Sequence, residues 1–137
     1  MKTNMDEMAQ EIRRIAVEHG WESTTRSFGE EVALWHSECS EALEEHRNGH
    51  QENEIYFGPE ICTGCNLQKS KHFESNHAYE HDWTPARKPE GIPIEAADVI
   101  IRIMHWAARV GVSLDEAIQI KAMYNITRPF RHGNKTL

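Results

Sequence analysis

IPIEAADVIIRIMHWAARV, residues 92–110, is apolar around most of a helical circumference, yet Glu95, Asp98, Arg102 and His105 interrupt it at spacings of three, four and three. On a 3.6-residue helix those four side chains fall within an arc of roughly 80°, while Ile94, Ala97, Val99, Ile100, Ile101, Ile103, Met104 and Ala107 cover the rest. Such a helix is expected to be buried, and its ionisable stripe with it. Buried carboxylates are costly unless they are paired with cations or bound to a metal. Taken alone the stripe fits two readings: a surface edge with Asp98 near the positive helix end, or a functional charge network.

A second acidic pair earlier in the chain favours the functional reading. Ser27 with Glu30 is a capping box that opens a helix over FGEEVALWHSECSEALEEHRNG, closed by Gly49. Leu34, Trp35, Glu38, Glu41 and Glu45 lie close to one face of it, and Glu38 and Glu41, three apart, can converge on one point. Set beside Glu95 and Asp98, they make four carboxylates in two i, i+3 pairs, the pattern by which helical bundles build internal metal sites. All-oxygen donors favour magnesium or manganese over zinc, and magnesium keeps waters and takes substrate phosphates as further ligands. Arg102 and His105 are expected to orient or pair these carboxylates, and Cys39, on a different face, to be a small buried filler.

Two more helices flank this pair. Asn4 or Thr3 can cap a first helix running to about His19, ended by Gly20. Pro93 suits the first turn of the helix at 92–110, which Gly111 ends. Ser113 with Glu116 is another capping box, opening a fourth helix to about Thr127, and Arg128-Pro129 stops it. From His50 to Gly91 the periodicity disappears, with only a short helical piece expected around Lys69 to Glu80. A connection of this length is expected to be functional or metal-stabilised. Within it Cys62-x2-Cys65-x11-His77-x3-His81 comes close to the spacing of a structural zinc site, with His72 as a spare ligand; the alternative is a flexible loop with reduced thiols. A metal clip suits an excursion too small to bury much surface.

At 137 residues the chain is long enough for one domain with its own core, residues 1–137, the segment 50–91 being an insertion within it. With 22 acidic and 15 basic residues the net charge is -7, which argues against a nucleic-acid binder. The insertion is not a DNA-reading finger either, since groove binding needs a positive surface and the insertion is net acidic. There is no uncharged apolar run of membrane-spanning length, and MKTNMDEMAQ lacks the regions of a signal peptide, so the expectation is a soluble, cytoplasmic protein without membrane partners.

The ExxE at Glu38 and Glu41, the ExxD at Glu95 and Asp98 and the closing run KAMYNITRPFRHG together resemble the MazG-like, all-α nucleoside triphosphate pyrophosphohydrolases, the superfamily of the dimeric dUTPases and dCTPases. The resemblance covers roughly two thirds of the chain, from the second helix onward. It implies an all-α four-helix bundle whose metal site, with Glu38, Glu41, Glu95 and Asp98 as ligands or base, cleaves a (d)NTP between the α and β phosphates to a monophosphate and diphosphate. It also implies phosphate, sugar or base contacts for Lys121 and Asn125, with Arg128, Arg131 and Lys135 available to neutralise charge on the leaving group. For those basic residues the alternative is simple complementation of a helix C-terminus. Trp35, one turn before Glu38, either stacks on a base or belongs to the core. The departure is spacing: the acidic motifs usually lie much closer together than Glu41 and Glu95 do here.

The expected partners are a (d)NTP, guanine and cytosine nucleotides both fitting, and further copies of the chain as a homodimer or homotetramer, because the third helix has more apolar surface than three neighbours bury. The rival from another class is a non-catalytic, zinc-stabilised helical interaction module that uses its acidic face.

Overall fold

The structure, a computed structural model, describes residues 4–62 and 88–129. It is mostly helical: α1 is Met5–Glu18, α2 Phe28–Arg47, α3 Ile92–Val110 and α4 Leu114–Ile126, with two short strands, β1 at Tyr56–Phe57 and β2 at Pro89–Glu90. The helix starts follow the expected chemistry. Asn4 Oδ1 accepts from the Asp6 amide at 2.8 Å, and Ser113 Oγ accepts from the Glu116 amide at 3.1 Å. The Ser27 and Glu30 box is reciprocal: Ser27 N donates to Glu30 Oε2 at 2.7 Å while Glu30 N donates to Ser27 Oγ at 3.3 Å. None of the described helices is long and apolar enough to cross a membrane.

The chain divides into two compact units, with the boundary falling inside both α2 and α3. The first unit comprises Met1–Trp35 and Val99–Leu137. Its core is built on small residues: Ala9 of α1 meets Met104 and Ala108 of α3, with Met5, Ile12 and Leu114 packed around them. The N-termini of α1 and α4 cap one another. Asp6 Oδ1 accepts from the amides of Leu114 and Asp115 at 2.8 and 3.3 Å, its Oδ2 accepts from Ser113 Oγ at 2.5 Å, and Asp115 Oδ2 accepts in return from the Asp6 amide at 3.2 Å. A part-buried ion pair joins Arg109 Nη2 to the buried Glu31 Oε1 at 2.9 Å. Phe28, Trp35 and Trp106 form an aromatic trio with ring centroids 5.5–5.9 Å apart.

α3 was expected to be buried on nearly every side, and within the chain it is not. Ile100 and Ile101 are 52% and 42% exposed, because Ala9 and its neighbours cover only the side that carries Met104 and Ala108. α4 has no buried residue and exposes Ile118, Ile120, Met123, Tyr124 and Ile126.

The second unit is His36–Asp98. β1 and β2 pair antiparallel, Tyr56 opposite Glu90 and Phe57 opposite Pro89, and Gly58 N donates to Lys88 O at 2.8 Å just beyond the ladder. No strand was expected here. The ladder is only two residues long, too short for alternation to show, and proline is tolerated at such an edge. Tyr56 is anchored to α2, its hydroxyl donating to Glu45 Oε2 at 2.9 Å, and its ring stacks on His50 at 4.5 Å. The Glu45 carboxylate that accepts this bond pushes the Tyr56 phenol up to about 12. The chain then turns into α3 through Gly91, at φ +116°, where an added Cβ would lie 2.4 Å from the Glu54 carbonyl oxygen. Only glycine fits this approach.

Candidate metal centre

α3 begins on that glycine. Gly91 O accepts from the amides of Ile94 and Glu95 at 2.9 and 3.1 Å, which sets the first turn and places Glu95 and Asp98 one turn apart. Across from them α2 supplies Glu38. One carboxylate oxygen from each of Glu38, Glu95 and Asp98 lies within 4.8 Å of the other two. Glu38 and Glu95 are only 5% and 4% exposed, and Asp98 is half-buried.

Three carboxylates at this separation oppose each other's ionisation. The effect is visible at Glu95, whose carboxyl is raised above the usual range first by burial and then by the charges of Glu41, Asp98 and Glu38, with Lys88 acting against them. A divalent cation among the three would relieve that repulsion. The donor set suits the hard, oxygen-preferring ions and is wrong for zinc.

Three of the four carboxylates named from the sequence are thus gathered in one cluster. Glu41 stands at its edge: it is exposed, its Oε1 accepts from Ser37 Oγ at 3.4 Å, and it is the strongest of the charges acting on Glu95. Lys88 was not anticipated. Its Nζ lies 3.2 Å from Glu90 Oε2, and its ammonium is favoured by that hydrogen bond first, and by the charges of Glu95 and Glu41 after burial has opposed it. Nothing in the sequence marks it as a neighbour of Glu95 except the β1–β2 ladder, which is itself hard to read.

The remaining candidates are placed as follows. Lys121, Asn125 and Arg128 are exposed on α4 and just past it, with Lys121 Nζ 5.2 Å and Arg128 Cζ 5.9 Å from the Tyr124 ring centroid. Trp35 sits in the aromatic trio as a half-buried side chain, and its indole Nε1 is buried without a hydrogen-bond partner among the described residues. Arg102 is half-buried. His105 turns to another carboxylate than expected: its Nε2 is 3.3 Å from Glu22 Oε2, and Arg13 holds the same side chain at 2.8 Å. Cys39 is exposed rather than a buried filler. Of the zinc motif, Cys62 is fully buried, while Cys65, His72, His77 and His81 lie outside the described residues, as do Arg131 and Lys135.

Comparison with known proteins finds no matching family model, no matching curated protein and no matching solved structure.

Proposed function

We propose that the chain is a magnesium- or manganese-dependent nucleoside triphosphate pyrophosphohydrolase of the MazG-like kind, converting a (d)NTP and water to a (d)NMP and diphosphate. The observation that carries the reading is the triad of Glu38, Glu95 and Asp98, with ligand oxygens within 4.8 Å and two members buried. Burying two carboxylates beside a third is costly, and a divalent cation held among them would offset that cost.

In this reading Glu38, Glu95 and Asp98 hold the metal, which when bound polarises the phosphoryl oxygens of the substrate. Glu41, exposed beside the triad, is the residue suited to take the proton of the attacking water. The water oxygen bonds to the α-phosphorus, the bond from that phosphorus to the bridging oxygen breaks, and the electron pair leaves on diphosphate. Substrate roles for Trp35, Lys121, Asn125, Arg128, Arg131 and Lys135 rest on the resemblance of the closing run to the family. A structural zinc held by Cys62, Cys65, His77 and His81 rests on their spacing, to which the complete burial of Cys62 is suited.

Diphosphate release from a panel of NTPs and dNTPs, with magnesium, with manganese and with EDTA, tests the reaction. Metal-dependent release is expected from a subset of the panel. Asp98→Asn should lower it by at least about a hundredfold, since it removes a ligand outright. Elemental analysis of the same preparation should find bound zinc. A folded, metal-loaded protein that releases no diphosphate from any nucleotide would favour the non-catalytic interaction module instead.

A further inference from the structure

Carboxylates repel one another, so Glu38 of α2 stays within 4.8 Å of Glu95 and Asp98 of α3 only where other contacts hold the two helices to that spacing. A tie of this kind runs through Tyr56. Glu45 lies seven residues beyond Glu38, two turns along the same face of α2. Its carboxylate, 16% exposed, accepts from the Tyr56 hydroxyl at 2.9 Å. Tyr56 pairs with Glu90 in the β1–β2 ladder, and the next residue, Gly91, supplies the carbonyl that accepts from the amides of Ile94 and Glu95. The ring is braced as well: it stacks on His50 at 4.5 Å, and His50 Nδ1 lies 3.1 Å from Oε2 of Glu54, the residue whose carbonyl presses on Gly91.

We infer that Tyr56 is a positioning residue of the metal centre: its hydroxyl on Glu45 ties the strand that leads into Gly91 and the first turn of α3 to the helix that carries Glu38, and so sets the spacing of Glu38 against Glu95 and Asp98. The assignment rests on the metal-centre reading above and adds how that spacing is held. Ligands kept in place by their surroundings bind an ion more tightly than ligands that the ion must first gather. The Tyr56 hydroxyl touches no ligand, so its effect on the ion passes through the backbone of β2 and Gly91 alone.

Tyr56→Phe keeps the ring that stacks on His50 and removes only the hydroxyl. It should weaken manganese binding about fivefold, less than the loss typical of a group bonded directly to a ligand. Glu45→Ala removes the acceptor, and in that background Tyr56→Phe should have no further effect. Glu45→Gln retains an acceptor oxygen and should keep most of the sensitivity to Tyr56→Phe. Arg109→Ala serves as the control for stability, since Arg109 pairs with Glu31 and not with the triad: it should melt lower than wild type yet bind manganese equally well.

Calorimetric titration of the full chain with manganese, at a temperature where every variant is folded by circular dichroism, reads these affinities without relying on activity. A loss in Tyr56→Phe that vanishes in the Glu45→Ala background supports the assignment. Equal affinity in wild type and Tyr56→Phe overturns it, whatever the melting temperatures, because the tyrosine then serves stability alone. A loss of the same size with and without Glu45 also overturns it, because the effect does not run through this bond. Should Tyr56→Phe not fold, Glu45→Ala beside Glu45→Gln carries the same comparison, with weaker binding in the alanine variant expected and equal binding decisive against it. A wild type that binds no manganese retires the metal-centre reading and Tyr56 with it, an outcome distinct from a wild type that binds while Tyr56→Phe matches it.

Discussion

Two buried carboxylates among the described residues, Glu31 and Glu95, differ in what surrounds them. Glu31 is 3% exposed and has a dedicated cation, Arg109 at 2.9 Å. Glu95 is as deeply buried, and its carboxyl is raised above the usual range first by that burial and then by the charges of Glu41, Asp98 and Glu38, with Lys88 acting against them. Removing Arg109 leaves Glu31 charged and buried, so Arg109→Ala should destabilise the fold by about 3 kcal/mol in denaturant titrations. Replacing both by methionine should recover most of the loss, because the stranded charge is gone. Glu95 and Asp98 were legible in the sequence because an i, i+3 acidic pair on an apolar helix is anomalous wherever it packs. Glu31 with Arg109, and His105 with Glu22, were not, because each pairs residues whose meeting depends on how segments far apart in sequence come together.

Helix termini were the most readable elements, since Asn4, Ser27 and Ser113 each announce a start by local hydrogen bonding that needs no tertiary context. What local chemistry does not reveal is that the starts of α1 and α4 share their caps. Asp6 reaches across to Ser113, Leu114 and Asp115, an arrangement 107 to 109 positions apart in sequence. The Asp6 carboxyl is held below its ordinary 3.8, chiefly because the Ser113 hydroxyl donates to it, with burial opposing and the amides of Asp115 and Leu114 assisting. A depressed folded value means that this stabilisation is present in full above the ordinary carboxyl range and is lost as the pH falls through the folded value. Asp6→Asn should therefore melt several degrees below wild type at neutral pH, and the gap should close as melts are repeated below about pH 4. The β1–β2 ladder marks the opposite limit of legibility: two residues per strand carry too little pattern to read, yet they set where Lys88 and the first turn of α3 stand.

Among the described residues, α4 leaves much apolar surface uncovered. Ile126 is 84% exposed, Met123 69% and Ile120 63%, on a helix with no buried residue. A helix that is apolar on several sides is normally covered. The homodimer or homotetramer expected from the sequence would cover α4, so sedimentation at micromolar concentration should give a dimer or larger, and Met123→Glu with Ile126→Glu should shift it to monomer; a wild type that sediments as monomer would contradict that expectation. The acidic triad remains the central claim, and manganese binding to wild type beside Glu95→Gln tests it most directly. Wild type should bind the ion, and Glu95→Gln should bind it at least about tenfold more weakly while melting higher than wild type in EDTA, because the repulsion among Glu38, Glu95 and Asp98 is relieved. Equal manganese affinity in the two proteins would contradict the account, for the carboxylates would then be gathered for some purpose other than a metal.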